Sequence, residues 1–162
     1  MHPKDISRIV DAHVPLGLCI DTNLIALLVV GTISRWSVPR HRRTSKYSIA
    51  DYDLLLTFVS PFKRYVTTPN VLTEASNILS GHEERLALRE LCIQRWEELP
   101  VSSLDAAITP YYAPLGLTDS AILSKVCGSF LLLTDDGPLA AAVLGLHGGA
   151  VLFDWLRAAE GR

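Results

Sequence analysis

The chain has 162 residues, 49% of them apolar and 20% charged, with a formal net charge of -2. That length fits one domain with a sizeable core, and the overall charge does not advertise nucleic acid. The longest apolar run, Leu24 to Val30, is too short to span a bilayer, so no membrane role is expected.

The stretch from Met1 to Asp11 is polar and lacks the apolar region of a signal peptide. Leu18-Cys19-Ile20 reads as a buried strand ending abruptly at Asp21. Asp21 or Thr22 then caps a helix through Leu24–Val30 to Gly31. Residues 31–48 read as a basic loop, and Ala50 to Phe58 as a second helix stopping near Pro61. Tyr65-Val66-Thr67 is a second strand. Thr68-Pro69 supplies a cap and a first-turn proline for a helix that ends at Gly81 and has Val71, Leu72, Ala75, Ile78 and Leu79 on one face. His82 to Glu98 forms a charged amphipathic helix, followed by a short extended segment at Val101. Leu104 to Tyr112 and Thr118 to Cys127 read as helices. Phe130 to Leu133 is a third buried strand, Pro138 to Leu146 an Ala/Leu helix closed by Gly148-Gly149, and Ala150 to Phe153 a last strand before a short tail helix.

Strands that alternate with helices and are apolar on both faces signal a parallel sheet covered on both sides. The expected fold class is α/β: a single-domain α/β/α sandwich around a central parallel sheet, with its core from about Leu18 to Phe153. Cys19, Cys92 and Cys127 show no CxxC or Cys/His ligand spacing and read as buried, reduced thiols of a cytoplasmic protein. His13, His41, His82 and His147 show no metal spacing either. Apolar content beyond the needs of a core fits an apolar surface used for self-association.

In such sheets ligands gather at the carboxyl ends of the strands. Asp21 ends the first strand and Asp136 lies just past Phe130–Leu133, so both are expected on one edge. In the Thr118 helix, Ile122, Leu123 and Val126 set the buried stripe, and at about 100° per residue Asp119 points into its middle. Glu74, three residues after Val71 and four before Ile78, borders the buried face of its helix. Taken singly, Asp21 and Asp136 read equally well as helix caps, Asp119 as a first-turn acid and Glu74 as an ordinary helix-flank glutamate. Jointly they suggest one pocket, and no Lys or Arg lies close to any of the four in sequence. A bound cation is the remaining way to neutralise them, and oxygen ligands suit Mg²⁺ or Mn²⁺. The basic run, Arg35, Arg40, Arg42, Arg43 and Lys46, contains no acid. It reads either as a solvated loop or as a phosphate-gripping rim, with Lys63 and Arg64 nearby in sequence. Trp36 stands inside that run, whereas the other tryptophans read as core or interface residues.

Four motifs in order resemble PIN domains: Leu18-Cys19-Ile20-Asp21-Thr22-Asn23, Thr68-Pro69-x-Val71-x-x-Glu74-x-x-Asn77-x-Leu79, Leu117-Thr118-Asp119-Ser120-Ala121-Ile122, and Leu132-Leu133-Thr134-Asp135-Asp136. The resemblance covers about Leu18 to Phe153 and implies the PIN-like, FEN/5′-nuclease-like fold. It also implies a metal-dependent endoribonuclease that hydrolyses RNA with Mg²⁺ or Mn²⁺; many relatives are VapC-like toxins held inactive by a small antitoxin, and PIN-like domains often pair as a homodimer, with which the high apolar content agrees. Carried over, Asp21, Glu74, Asp119 and Asp136 would be catalytic, metal-binding acids. Asn23 and Thr134 would support them through hydrogen bonds. Many relatives carry a further acid where this chain has Pro138, which leaves a second metal ion in question. Asp135 is the local substitute, although strand-end geometry points it elsewhere.

A haloacid-dehalogenase-like phosphatase would need a second Asp where Asn23 stands. No GxGxxG follows the first strand, against a dinucleotide-binding domain. A response-regulator receiver would need a phosphoacceptor acid at a central strand and a late lysine. The remaining alternative is a PIN-like RNA-binding or scaffolding module with weak catalysis.

Overall fold

The computed structural model describes residues 3–161, so Met1 of the polar N-terminal stretch lies outside the described residues. Five parallel strands form one sheet in the order β3-β2-β1-β4-β5: β1 (Leu18–Ile20), β2 (Tyr65–Thr67), β3 (Trp96–Glu98), β4 (Leu131–Thr134) and β5 (Gly149–Leu152). Consecutive residues of a strand point to opposite faces. Every residue of β1 and β4 is nevertheless buried, so helices cover both faces of the sheet's centre. The α/β/α sandwich with a central parallel sheet is therefore the fold of this chain.

The chain starts in the middle of the sheet. β1 pairs with β2 on one side (Leu18 with Tyr65) and with β4 on the other (Ile20 with Leu133). Connections leaving the carboxyl ends of β1 and β4 run to opposite sides, which opens a crevice between them. The ladder runs one residue beyond β1, where the Asp21 N–H donates to the Leu133 carbonyl at 3.0 Å.

The next helix, α2 (Thr22–Ile33), is apolar nearly all round and has nine of its residues buried. Such a helix belongs in the interior, and α2 is the post around which the domain is packed. It touches α3 (Ile49–Val59), α4 (Pro69–Ile78), α5 (His82–Arg95) and a 3₁₀ helix at Arg35–Arg40. Asp21 caps α2 by accepting from the Leu24 N–H at 3.0 Å. Thr68 and Pro69 start α4.

Several elements depart from the sequence reading. Pro3–His13 forms a helix, α1, that puts Ile6 into the core and packs Ile9 and Val10 against it. The stretch 31–48 is not a plain loop. After α2, the 3₁₀ helix buries Val38, and Thr44 and Tyr47 are buried behind it. Glu98 belongs to strand β3 and not to the helix before it, because the open edge of β2 offers it a ladder; the Leu99 N–H continues that ladder to the Thr67 carbonyl. Val101 consequently lies outside the sheet. The segment expected as one helix from Leu104 to Tyr112 is two, α6 (Ser103–Ala107) and α7 (Tyr112–Leu115). Pro110 lacks an N–H and restricts the residue before it. Gly81 caps the start of α5, while α4 already ends at Ile78. The remaining helices are α8 (Leu117–Val126), α9 (Gly137–Gly145) and α10 (Phe153–Ala159). Strands β4 and β5 lie within a residue of their expected bounds.

Cys19 is buried, while Cys92 and Cys127 are only partly so, and all three are free thiols. No helix among the described residues is long and apolar enough to cross a membrane.

Gly31 marks where α2 meets α3: a Cβ there would sit 2.2 Å from Cδ2 of the Tyr52 ring. Alanine at an ordinary helical glycine gains up to about 1 kcal/mol, but overpacking a filled core costs about 1–3 kcal/mol. Gly31→Ala is therefore expected to lower stability, read as a lower urea midpoint. A midpoint at or above wild type would show that Tyr52 moves aside freely.

Candidate metal centre

Four carboxylates reach one cleft from four places in the chain. Asp21 stands between β1 and α2, Glu74 is on α4, Asp119 opens α8, and Asp136 caps α9. With Thr22, Asn23 and Leu139 they line a cavity of about 120 Å³ at the β1/β4 crevice. No Lys or Arg lines it. Larger surface grooves exist, but they lie between α3 and α5 or beside the 3₁₀ helix, and none contains this group of acids.

Asp21 is the anchor. It is buried, at 5% exposure. Its Oδ1 accepts from the Leu24 N–H, and its Oδ2 accepts from the Asp135 N–H at 3.0 Å and from the Thr134 hydroxyl. Thr134 works in both directions, because its oxygen also accepts the Asp136 N–H at 2.9 Å. One hydroxyl thus links the acids after β1 and β4. Asp136 Oδ1 accepts from the Leu139 N–H at 2.8 Å as the cap of α9. Glu74 is held on its exposed flank by the Thr22 hydroxyl, which donates to Oε2 at 3.2 Å. Asp119 is only partly buried: it stands in the first turn of α8, where the helix opens on the cleft, ahead of the residues that pack into the core. The buried residues of α8 are Ser120, Ala121, Ile122, Leu123 and Val126.

Charge crowding shows in the acidities. Burial, then the carboxylates of Asp136, Asp21 and Glu74, push Asp119 up to about 7. Burial and the nearby Asp135 also raise Asp21, against the opposing pull of its hydrogen bonds. Such shifts gather at functional sites. Among the described residues, no three His, Cys, Asp or Glu side chains are drawn into a ready ligand cage.

Asp135 turns away from the cleft. It accepts from Asn23 Nδ2 at 3.0 Å, from the Tyr47 hydroxyl and from Lys46 Nζ. Burial alone would raise its pKa, but the bonds from Lys46, Tyr47 and Asn23 outweigh that and hold it below the usual carboxylate range. Asn23 therefore supports Asp135 and not the quartet, although it lines the cleft. Tyr47 is the participant that sequence reasoning missed. Nothing in its local pattern marks it; its role comes from a fold-back that places it edge-on to Phe153.

The basic candidates divide. Arg35 pairs with Asp53, and Lys46 is committed to Asp135. Arg40, Arg42 and Arg43 are exposed, with no ion pair among the described residues. Arg64 is at the opposite edge of the sheet, paired with Glu97 and stacked on Phe130, so it leaves the expected rim. His41 pairs with Glu84 and is not a ligand to the cleft.

No family model matches this chain, and no curated protein or solved structure matches it.

The raised Asp119 fixes a sign. Its unfolded value is near 4, so between about pH 4 and 7 the folded state holds more protons than the unfolded one. Stability contributed by this group is lost as pH rises through that window. Asp119→Asn should therefore melt higher than wild type above neutral pH. After discounting for its solvent-facing side, about 1 kcal/mol, or about 3 °C, is expected. The difference should shrink toward pH 4. An equal or lower melting point at neutral pH would refute the charge crowding.

Proposed function

We propose that this protein is a divalent-metal-dependent ribonuclease, with Asp21, Glu74, Asp119 and Asp136 holding Mg²⁺ or Mn²⁺. The observation that carries the reading is the convergence of four carboxylates, from four separate segments, on one cleft lined by no basic side chain. The donor set fits the ion: it is all carboxylate, and hard divalent cations select such oxygens. The volume fits as well. About 120 Å³ is well below the roughly 300 Å³ at which small-molecule clefts begin, so a phosphodiester would meet the site at its mouth.

An ion bound there would supply Lewis acidity to the phosphodiester and to the water that attacks it. The protein's own contribution is placement. The Thr134 hydroxyl and the Asp135 N–H fix the direction of Asp21, and Thr22 steadies Glu74. Fixed second-layer partners of this kind tune the acids they hold. The negative cleft alone repels RNA, so cation binding must precede substrate approach. A PIN-like module that binds RNA without cutting it is the second reading, favoured by the lack of a tight ligand cage among the described residues.

Metal-dependent cleavage of a mixed RNA pool separates the two. Wild type should cut with Mn²⁺ or Mg²⁺ and stop with chelator, and Asp21→Asn should be inactive. Thr134→Val keeps the shape but removes the shared hydroxyl, and should cost about 10–100-fold in activity or metal affinity. Equal cleavage by wild type and Asp21→Asn would sink the nuclease reading at this site.

The reading extends to protein partners, a small antitoxin and a second copy of the chain. Both need an apolar docking face, and Leu104 and Ile108, 78% and 84% exposed, stand out beside α8. If this face joins two copies, light scattering should give twice the monomer mass, and Ile108→Asp should return it to monomer. A wild-type monomer at high concentration would remove the dimer.

A further inference from the structure

We infer that residues 34–48 form a single-strand-binding platform, with Trp36 as a base-stacking surface and Arg40, Arg42 and Arg43 as phosphate contacts. The inference rests on the ribonuclease reading for its choice of RNA and adds the form of RNA taken.

The first observation is the rigidity of the segment. Val38 is wholly buried, the Thr44 hydroxyl donates to its carbonyl at 2.7 Å, and Tyr47 is buried against Phe153. His41 adds a bond to Glu84 at 2.9 Å. A surface ordered before binding avoids the entropy cost of ordering on contact.

The second is the face it presents. In a 3₁₀ helix, residues three apart share a face. Val38 takes the inward row, which leaves Trp36 with Pro39 and Ser37 with Arg40 on outward rows, and all four of these residues are exposed. Trp36 is 67% exposed, although it sits on a well-anchored support. Trp96 and Trp155, by contrast, pack against the core. The Arg35 guanidinium lies 5.9 Å from the centre of the Trp36 ring. The neighbouring anions are already used: Asp53 pairs with Arg35, Asp135 with Lys46, and Glu84 with His41. Three exposed arginines remain uncompensated, which favours a polyanion as the occupant.

The third is position. The segment ends in Lys46 and Tyr47, which hold Asp135; Asp135 in turn holds Asn23, a residue of the acidic cleft. Trp36 follows the far end of α2, which starts at the acids and spans about 18 Å, so a strand gripped by the arginines reaches the cleft along this segment over a few nucleotides. Stacking on Trp36 needs an unpaired base, since the bases of a duplex are closed to an aromatic ring. Three arginines on phosphates give affinity without sequence choice.

Binding is measured in EDTA by fluorescence anisotropy of a short labelled RNA, single-stranded or as a duplex, so that no cleavage is needed. The single strand should bind more tightly. Trp36→Ala should weaken it about five- to a hundredfold and leave the duplex unchanged, while Trp36→Phe should keep most of the affinity. Replacing Arg40, Arg42 and Arg43 with Ser should lower the salt dependence of single-strand binding by about two in log–log slope. Circular dichroism melts of each variant check that the segment stays folded. Equal binding of single strand and duplex, or unchanged binding by folded Trp36→Ala, would overturn the platform. A change of oligomeric state in Trp36→Ala with binding intact would overturn it in favour of a self-contact. Wild-type cleavage with Mn²⁺ is read separately. Binding without cleavage would remove the nuclease reading and leave the platform standing; cleavage with binding indifferent to Trp36 would do the reverse.

Discussion

The pairing of β1 with β4 is the contact on which the candidate site depends. It places Asp21 beside Thr134 across more than a hundred residues of chain, and the Thr134 hydroxyl joins the two strand ends by donating to Asp21 and accepting from the Asp136 N–H. Because β1 is central and the chain leaves β1 and β4 in opposite directions, the space above their carboxyl ends stays open. Asp21 and Asp136, which follow the ends of β1 and β4, face that space. Helices α4 and α8 then bring Glu74 and Asp119 to its walls.

The cleft carries a cost that the rest of the fold must bear. Burial, and then the like charges crowded into a cavity with no basic lining, raise Asp119 toward neutrality and destabilise the fold as pH rises. A large buried core around α2 offsets that strain. Asp135 shows the contrasting solution. Its charge also acts on Asp21, but Lys46, Tyr47 and Asn23 compensate it within the protein. Two adjacent aspartates therefore have opposite fates: Asp135 becomes a structural acid tying the basic segment to the sheet, and Asp136 is left facing the cleft.

That tie also links the two surfaces a nucleic acid would need. The segment 34–48 ends at Asp135, so its exposed arginines and Trp36 are carried on the structure that borders the acids. Phe153 and Arg157 of α10 pack on Tyr47 from behind, and Arg157 pairs with Asp51 of α3. The C-terminal helix thereby braces the platform without approaching the cleft.

The local pattern of the chain was enough to place most of this. Buried strands ending in Asp21 and before Asp136, the Thr68-Pro69 helix start, and an α/β alternation are all written in short-range hydrophobicity and capping chemistry, which act within a few residues. The meeting of Asp21 and Asp136 followed from that alternation, since parallel strands put their carboxyl ends on one edge, while Glu74 and Asp119 were pointed toward it by helical angle. Other features were decided by tertiary structure alone. Trp96–Glu98 became a strand because the edge of β2 lacked a partner, and residues 34–48 became ordered because Val38 and Tyr47 found buried sites. Lys46 was drawn to Asp135 and Arg64 to Glu97, so the arginines left free differ from those the sequence alone would select. Pairings between residues dozens of positions apart depend on which surfaces packing brings together, and no local pattern in the chain encodes that.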